Sequence, residues 1–415
     1  MNFLIGFGLS GLGFFSNVKN KKNFKILEKN SYLGGHSYSH KLDNIYFDEG
    51  AHILHSKNKK FINKFTKIDH NYQKSFVLNY KSSKWFNYPV QDNLIDINNK
   101  IKYLESFLIR NKNIKIKNFE DWCFLNYGEK ITNDFYRIYN KKYWRKNLKE
   151  LDVSWLSGRL ISSNDDQVIL NTFFKNNISN SSFNYFRYPK SKGFYNFFND
   201  EFAKYSKYCH LNTAINNIDL KNKIINYNNN NENYNKIYST IPLPELLKII
   251  DFPKYIKSAI NSLEHTSLIC INLILKNNYK FKHHWHYIYD SNIPVSRISI
   301  INNISKVNSS KLGIQLEIFY NPKFESMKNI DYEKVIKKVF KTMNIDFKDL
   351  IKFDIRQIQY AYIISNKYKN DTVKLIQNFF SKYKIYPFGL YGDWTYYWSD
   401  QSYKKGKDFA ALNNE

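Results

Sequence analysis

Asn2-Phe3-Leu4-Ile5-Gly6-Phe7-Gly8-Leu9-Ser10-Gly11-Leu12-Gly13-Phe14-Phe15 stands at the head of the chain, and its reading decides the fold. Asn2 to Ile5 is a short apolar run with strand character. The glycine-rich turn Gly6 to Gly11, with Ser10 inside it, follows without a gap, and Leu12 to Phe15 reads as the start of a helix. A second apolar run, Phe24 to Leu27, ends on Glu28. Strand, glycine turn, helix, strand and acid in this order describe a dinucleotide-binding βαβ unit. Gly6 lets the chain turn sharply off the strand. Gly8 has no Cβ, so a pyrophosphate can approach the backbone, and Gly11 lets helix and strand pack closely. The helix N-terminus then offers N–H groups and a positive dipole end to phosphate. Glu28 lies about 20 residues after the turn, where a carboxylate accepts hydrogen bonds from a ribose diol.

The remaining composition bounds what the chain can be. With 415 residues it buries a large core and forms two domains. Apolar residues make up 43% and aromatic residues 18%, which fits a folded globular protein. The net charge of +27 suits nucleic acid, an anionic membrane surface or an anionic substrate. The lysines are scattered, however, and the chain is also rich in Asn, Ile, Tyr and Phe, as an AT-rich coding background produces. No DNA- or RNA-binding motif is present, so nucleic acid is not the expected partner. Contact with a membrane surface remains compatible with the charge. Cys123, Cys209 and Cys270 are far apart, which points to a reducing compartment without a disulfide framework. Met1 to Phe15 lacks the basic start of a signal peptide, and no run reaches the length of a membrane span. The expectation is a soluble cytoplasmic protein.

Downstream of Glu28, Leu33-Gly34-Gly35-His36 places a double glycine just past the second strand, so that backbone passes close to a second ligand group. Tyr46 to Ser56 reads as a strand turning into the glycine-led loop Gly50-Ala51-His52-Ile53-Leu54-His55. His52 and His55 are the candidates for chemistry, because they sit beside the cofactor loop. No carboxylate or cysteine stands at ligand spacing from them, so no metal is expected, and the same holds for the histidines in Lys282-His283-His284-Trp285-His286. Phe61–Phe65, Ile101–Ile109 and Phe119–Leu125 have helical periodicity. Ser267–Leu275 reads as a strand, Gly313–Ile318 alternates like one, and Asn228–Asn231 reads as a polar loop. Ser399-Asp400 before Gln401-Ser402 reads as an N-cap opening a last helix.

Taken together, Gly6 to Gly11, Glu28, Gly34-Gly35 and Gly50 to His55 resemble the FAD-dependent UDP-galactopyranose mutases and their amine-oxidase-like relatives. The resemblance implies an α/β fold, a Rossmann-like FAD-binding domain interleaved with an α+β substrate domain. The strand ending in Thr240-Ile241-Pro242 resembles the return to the FAD domain, so that domain is expected to comprise residues 1–60, 205–245 and 385–415. Residues 61–204 and 246–384 then form the substrate domain. Gly389 to Ser402 resembles the last FAD contact, with Gly389, Asp400 and Gln401 at the cofactor and the final helix aimed at the flavin. The resemblance further implies a tryptophan near the sugar at Trp144, and diphosphate contacts at Arg159, Arg297 and Tyr396. Two arginines of the mutase pattern are missing, one replaced by Ser162 or Ser163 and one by Leu390. The implied activity is isomerisation of a nucleotide sugar through reduced flavin N5. The alternative is a net FAD oxidoreductase of the amine-oxidase or protoporphyrinogen-oxidase type, which the missing arginines favour.

Overall fold

The structure, a computed structural model, describes residues 1–156, 159–160, 162, 164–175, 185–307 and 309–413. Its first sheet grows around β1 (Asn2–Ile5), all four residues of which are buried. The order across the sheet is Ile385–Pro387, Lys236–Ser239, β1, β2 (Phe24–Leu27) and Cys209–His210, and every neighbouring pair is parallel. Parallel strands are covered on both faces, which is why these segments read as continuous apolar runs rather than alternating ones. Asn2 pairs with Lys236 and Ile5 with Ser239. Thr240 continues the link, since its N–H donates to Ile5 O at 2.9 Å and its hydroxyl to Gly6 O at 3.0 Å. The Thr-x-Pro segment is therefore stitched to the first glycine turn.

A second, seven-stranded sheet runs Leu350–Ile363, His265–Lys276, Lys311–Tyr320, Arg297–Ile300, Trp285–Ile288, Val77–Lys81 and Lys84–Asn87. It is antiparallel except where Trp285–Ile288 meets Val77–Lys81. Lys59–Phe65, Lys100–Leu108 and Phe119–Ile131 are helices, at the places their periodicity indicates. Leu104, Phe107, Cys123, Ile131 and Trp144 share one apolar cluster beside the second sheet. The fold class is thus α/β, with a Rossmann-like unit and a mixed second unit. Among the described residues no helix is long and apolar enough to cross a membrane.

One expectation fails locally. Asn228–Asn231 is not a loop. Ile224–Tyr227 and Asn230–Asn233 pair as a hairpin, with Asn228 and Asn229 forming its two-residue turn at φ +44° and +63°. Asparagine tolerates that left-handed region, and two such residues in succession make the turn whose twist suits a hairpin.

The Rossmann-like unit is closed by the last helix, α2 (Ser399–Leu412), lying on the first, α1 (Leu9–Asn17). The approach is so close that glycine is needed on both sides. A Cβ on Gly13 would stand 2.0 Å from Tyr403 O, and one on Gly406 would stand 1.9 Å from Ser10 O. Backbone cannot yield as a side-chain tip can, so overpacking here falls toward the upper end of its usual cost of about 1–3 kcal/mol. Gly406→Ala is expected to lower the unfolding free energy by that amount, seen as a lower urea midpoint at unchanged slope. An unchanged midpoint would show that the two helices are free to separate.

Candidate functional site

The site begins where β1 ends. The chain turns at Gly6 with φ +79°, and a Cβ on Gly11 would lie 2.9 Å from Gly6 O, so α1 starts directly against the strand end. Gly8 is different. Around an added Cβ there, only the backbone of Gly34 and Gly35 comes within 4 Å, the nearest atom being Gly34 O at 3.6 Å. Gly34 N–H donates to Phe7 O at 3.0 Å, which docks the second glycine pair onto the first. No side chain caps the first turn of α1 and no acid lies in it, which leaves amide donors facing this cradle. Open space beside Gly8, a second glycine wall and an uncapped helix start fit a pyrophosphate.

Glu28 is buried, and its carboxylate accepts Phe7 N–H at 2.9 Å and Asn30 N–H at 3.0 Å. Burial lifts its carboxyl above the usual carboxylate range, against the pull of these N–H groups. Ser10 touches the C-terminal segment, because a Cβ on Gly389 would meet Ser10 Oγ at 2.4 Å. The start of α2 departs from expectation. The N-cap is Trp398, and its N–H donates to Gln401 Oε1 at 2.9 Å. Asp400 accepts Ser56 Oγ at 2.5 Å and Gln401 N–H at 2.9 Å. Asp400 and Gln401 thus hold the helix start and the His55–Ser56 loop in place.

His52 and His55 lie on that loop. His52 Nδ1 meets Gly50 O at 3.2 Å, and its ring packs on Phe194 at 5.4 Å. Burial drives its imidazole down to about 4, only partly opposed by the Gly50 carbonyl. His52 is therefore a neutral polar group near pH 7. His55 is more exposed, with Nδ1 at 3.2 Å from Tyr185 O and its ring 6.0 Å from Trp398. Among the described residues no group of three or more His, Cys, Asp or Glu is placed to hold a metal ion.

The four residues expected at the substrate separate into two kinds. Arg159 and Tyr396 meet. The guanidinium lies 4.2 Å from the centre of the Tyr396 ring, donates to Tyr396 O and to Trp155 O at 2.8 Å each, and stands 4.9 Å from the Trp398 ring. A cavity of about 170 Å³ opens beside them, lined by Ser154, Ser365, Lys369 and Gln401 among others. Trp144 does not reach it as a free ring. It is 2% exposed and packs on Trp155 at 4.8 Å and Tyr143 at 5.2 Å, so core packing claims it. Arg297 does not bring a spare charge either. It binds Glu317 in a buried two-point pair at 2.9 and 2.6 Å, and these residues face each other across neighbouring strands. Where the resemblance leaves an arginine missing, Ser162 is exposed, Ser163 lies outside the described residues, and Leu390 is half-buried against the apolar core.

A cluster not anticipated from the sequence closes the site on one side. Glu49 accepts from His36 Nδ1 at 2.5 Å and His40 Nε2 at 3.2 Å. His36 Nε2 lies 2.6 Å from Tyr391 OH, which donates to Tyr360 O at 2.5 Å. Burial opposes the Glu49 charge, but the two histidines outweigh it and hold the carboxyl well below its usual range. This chain joins the second glycine pair, the loop before His52 and the C-terminal segment. A larger cavity of about 690 Å³, lined by Tyr72, Phe76, Lys280 and His284 among others, contains none of these groups.

With this geometry in view, known proteins place the architecture. The NAD(P)-binding Rossmann-like domain family matches residues 5–67. Among solved structures, reduced UDP-galactopyranose mutase superposes with a TM-score of 0.88, at 20% identity, over 100% of this chain and 96% of its own. The chain has the fold of UDP-galactopyranose mutase. A provisional protoporphyrinogen oxidase from Exiguobacterium sp. 255-15 follows at 0.73 and 11% identity, over 99% of this chain and 98% of its own. A redesigned putrescine oxidase stands at 0.65 and 10%, over 100% of this chain and 98% of its own. The mutase fold thus covers both sheets and both glycine motifs, and the amine-oxidase-like enzymes share it.

The His52 environment has a consequence for stability. An unfolded histidine titrates near 6.5, and the folded one near 4. The unfolded state therefore takes up the proton first. His52 costs nothing above about pH 6.5, and its penalty grows as the pH falls toward 4. Urea unfolding of wild type and His52→Gln at pH 7, 5 and 4 should show wild type losing more stability over that window. Parallel losses in the two proteins would place the imidazole in a more hydrated setting.

Proposed function

We propose that the protein is an FAD-dependent enzyme that isomerises a nucleotide sugar. One observation carries this reading. The cavity beside the C-terminal segment is lined by two cationic side chains, Arg159 and Lys369, with no carboxylate among its described lining residues. Such a cavity favours an anion, and a diphosphate is the anion a nucleotide sugar brings. The Gly8 cradle, the amides of α1 and Glu28 would hold the adenosine diphosphate half of FAD. Gly389 on Ser10 would set the C-terminal segment against its other half. FAD, when bound and reduced, supplies the nucleophile that displaces the diphosphate from the anomeric carbon of the sugar.

The chain's own groups do the rest. Arg159 is fixed by two carbonyls and two rings, so little side-chain freedom is lost when it grips an oxygen. His52, neutral and half-buried, offers a hydrogen bond without a charge. The aromatic walls at Trp155 and Tyr396 exclude water and strengthen each charged contact.

A second reading, net oxidation by FAD, is favoured by Leu390 and by the spent charge of Arg297. The two readings differ in electron flow. A mutase needs its flavin reduced beforehand and consumes no further reductant. An oxidase bleaches its flavin with substrate and recovers in air. Reduced-flavin turnover with UDP-sugars, run beside an anaerobic bleaching screen, tests both, and bleaching without isomerisation would reverse the order of preference.

The cofactor itself is tested separately. Purified protein should be yellow and release FAD rather than FMN on heating. Gly8→Val should fold but retain no flavin, because its side chain occupies the pyrophosphate cradle. Full flavin occupancy in Gly8→Val would remove the cradle from the binding site.

A further inference from the structure

Lys369 is poorly placed on three counts. It is 5% exposed, yet its ammonium makes no hydrogen bond or ion pair among the described residues, and it lines the cavity shared with Arg159 and Tyr396. It is also the first residue of the helix Lys369–Ser381, where the positive end of the helix dipole repels a cation. Burial pulls its pKa down, opposed at a distance by Asp152 and Asp393. Neither acid is available as a partner. Asp152 is taken by Ser154 N–H and Oγ at 2.8 and 2.6 Å and by Ser365 Oγ at 2.8 Å. Asp393 is paired with Lys405 at 3.3 Å and accepts Tyr397 OH at 3.1 Å.

Three costs at one side chain, all of the same sign, would be relieved together by an anion in the cavity. Arg159 stands on the same cavity, held flat against Tyr396, and supplies a second cation. Ser154, Ser365 and Gln401 add neutral polar groups around it. Arg297, whose charge Glu317 already balances, cannot play this part.

We infer that Lys369 is the second cation of a phosphate-binding site, acting with Arg159 on a ligand that carries two linked phosphates. The inference rests on the reading that this cavity receives the phosphate-bearing part of the substrate, and it places that part between the helix start at Lys369 and the Arg159–Tyr396 pair. Lysine here takes over the charge that the mutase pattern draws from arginines at positions now occupied by Leu390 and by Ser162 or Ser163. A compact ammonium on a flexible stem binds as a point charge, where a guanidinium would grip two oxygens in a plane. The site therefore tolerates variation in the phosphate's orientation more than an arginine pair would.

The test uses the flavin-loaded protein, with UDP, inorganic pyrophosphate and uridine as probes followed by calorimetry. Lys369→Met should weaken UDP and pyrophosphate on the order of tenfold to a hundredfold, the loss of one charge-assisted contact, and leave uridine unchanged. Lys369→Arg should restore most of the loss. Free of ligand, Lys369→Met should melt at a higher temperature than wild type, because an unpartnered buried cation has been removed. A residue kept only for structure would lower it. Saturating pyrophosphate should raise the wild-type melting temperature, a measurement independent of any variant. Equal UDP and pyrophosphate affinities in wild type and Lys369→Met would overturn the role of Lys369 and leave the nucleotide-sugar reading standing. Binding of pyrophosphate but not UDP, lost in Lys369→Met, would keep the phosphate site and sink the nucleotide-sugar reading. A wild type that binds neither, with no change in melting temperature, would overturn both.

Discussion

The molecule depends on how closely separate pieces of backbone come together at Gly8. Phe7 N–H is taken by Glu28, and Phe7 O takes Gly34 N–H, so both polar groups of one residue are used to draw the second strand's end and the second glycine pair inward. A Cβ on Gly35 would stand 3.4 Å from Gly8 Cα. The C-terminal segment arrives from the opposite side, with Gly389 on Ser10 and Gly406 on Ser10 O. None of these contacts buries much apolar surface. They are possible because the large residues around them, Phe14 against Tyr238 at 4.6 Å and Phe388 against Phe409 at 4.6 Å, carry the packing one layer away. The polar cradle is a gap in an aromatic core, and its shape is set by that core.

Glu317 and Glu49 connect this cradle to the second sheet. Glu317 lies in Lys311–Tyr320 and is fully buried. Besides Arg297, it accepts Ala51 N–H at 3.0 Å, while Gln315 in the same strand donates to Asp48 O at 2.8 Å. The loop that carries His52 is therefore anchored to the second sheet. A buried carboxylate left alone would be very costly, and the arginine opposite it supplies the compensating charge. Arg297 is thus best understood as the partner that permits Glu317 to hold the histidine loop. Glu49 plays the matching part on the other side of Gly50. His36 and His40 donate to it, and Tyr391 extends the chain to Tyr360 in the long edge strand.

What could be read from the sequence alone was local. Gly6, Gly8, Gly11 and Glu28 carry their spacing within one βαβ unit, and the turn and acid requirements are imposed by neighbours a few residues away. The alternation at Gly313–Ile318 and the helical period at Phe119 are likewise short-range signals. Most of the remainder was not legible because its cause lies far along the chain. Nothing near Arg297 announces Glu317, which faces it only through the register of two strands. Gly13 looks like an ordinary helix residue until Tyr403 is laid against it. Trp144 has the composition of a ligand-stacking ring, and only the position of Trp155 shows that the space is filled. The Asn228–Asn229 turn is the exception. Two asparagines between short alternating runs were a usable hairpin signal, obscured by the asparagine-rich surroundings.

The charges around the cavity illustrate how burial changes the meaning of a residue type. In water, Arg159, Arg297 and Lys369 would be three equivalent positive charges. Inside an aromatic wall each is defined by its neighbours. Arg297 is neutralised by a carboxylate at two points and adds no net field. Arg159 is held by carbonyl oxygens and ring faces, which stabilise its charge without cancelling it. Lys369 makes no side-chain hydrogen bond or ion pair among the described residues. Arg159 and Lys369 both line this cavity, and no carboxylate stands among its described lining residues. Neighbours, rather than residue type, thus set what each of these charges contributes, while most of the overall charge of the protein is spread over solvent-exposed lysines.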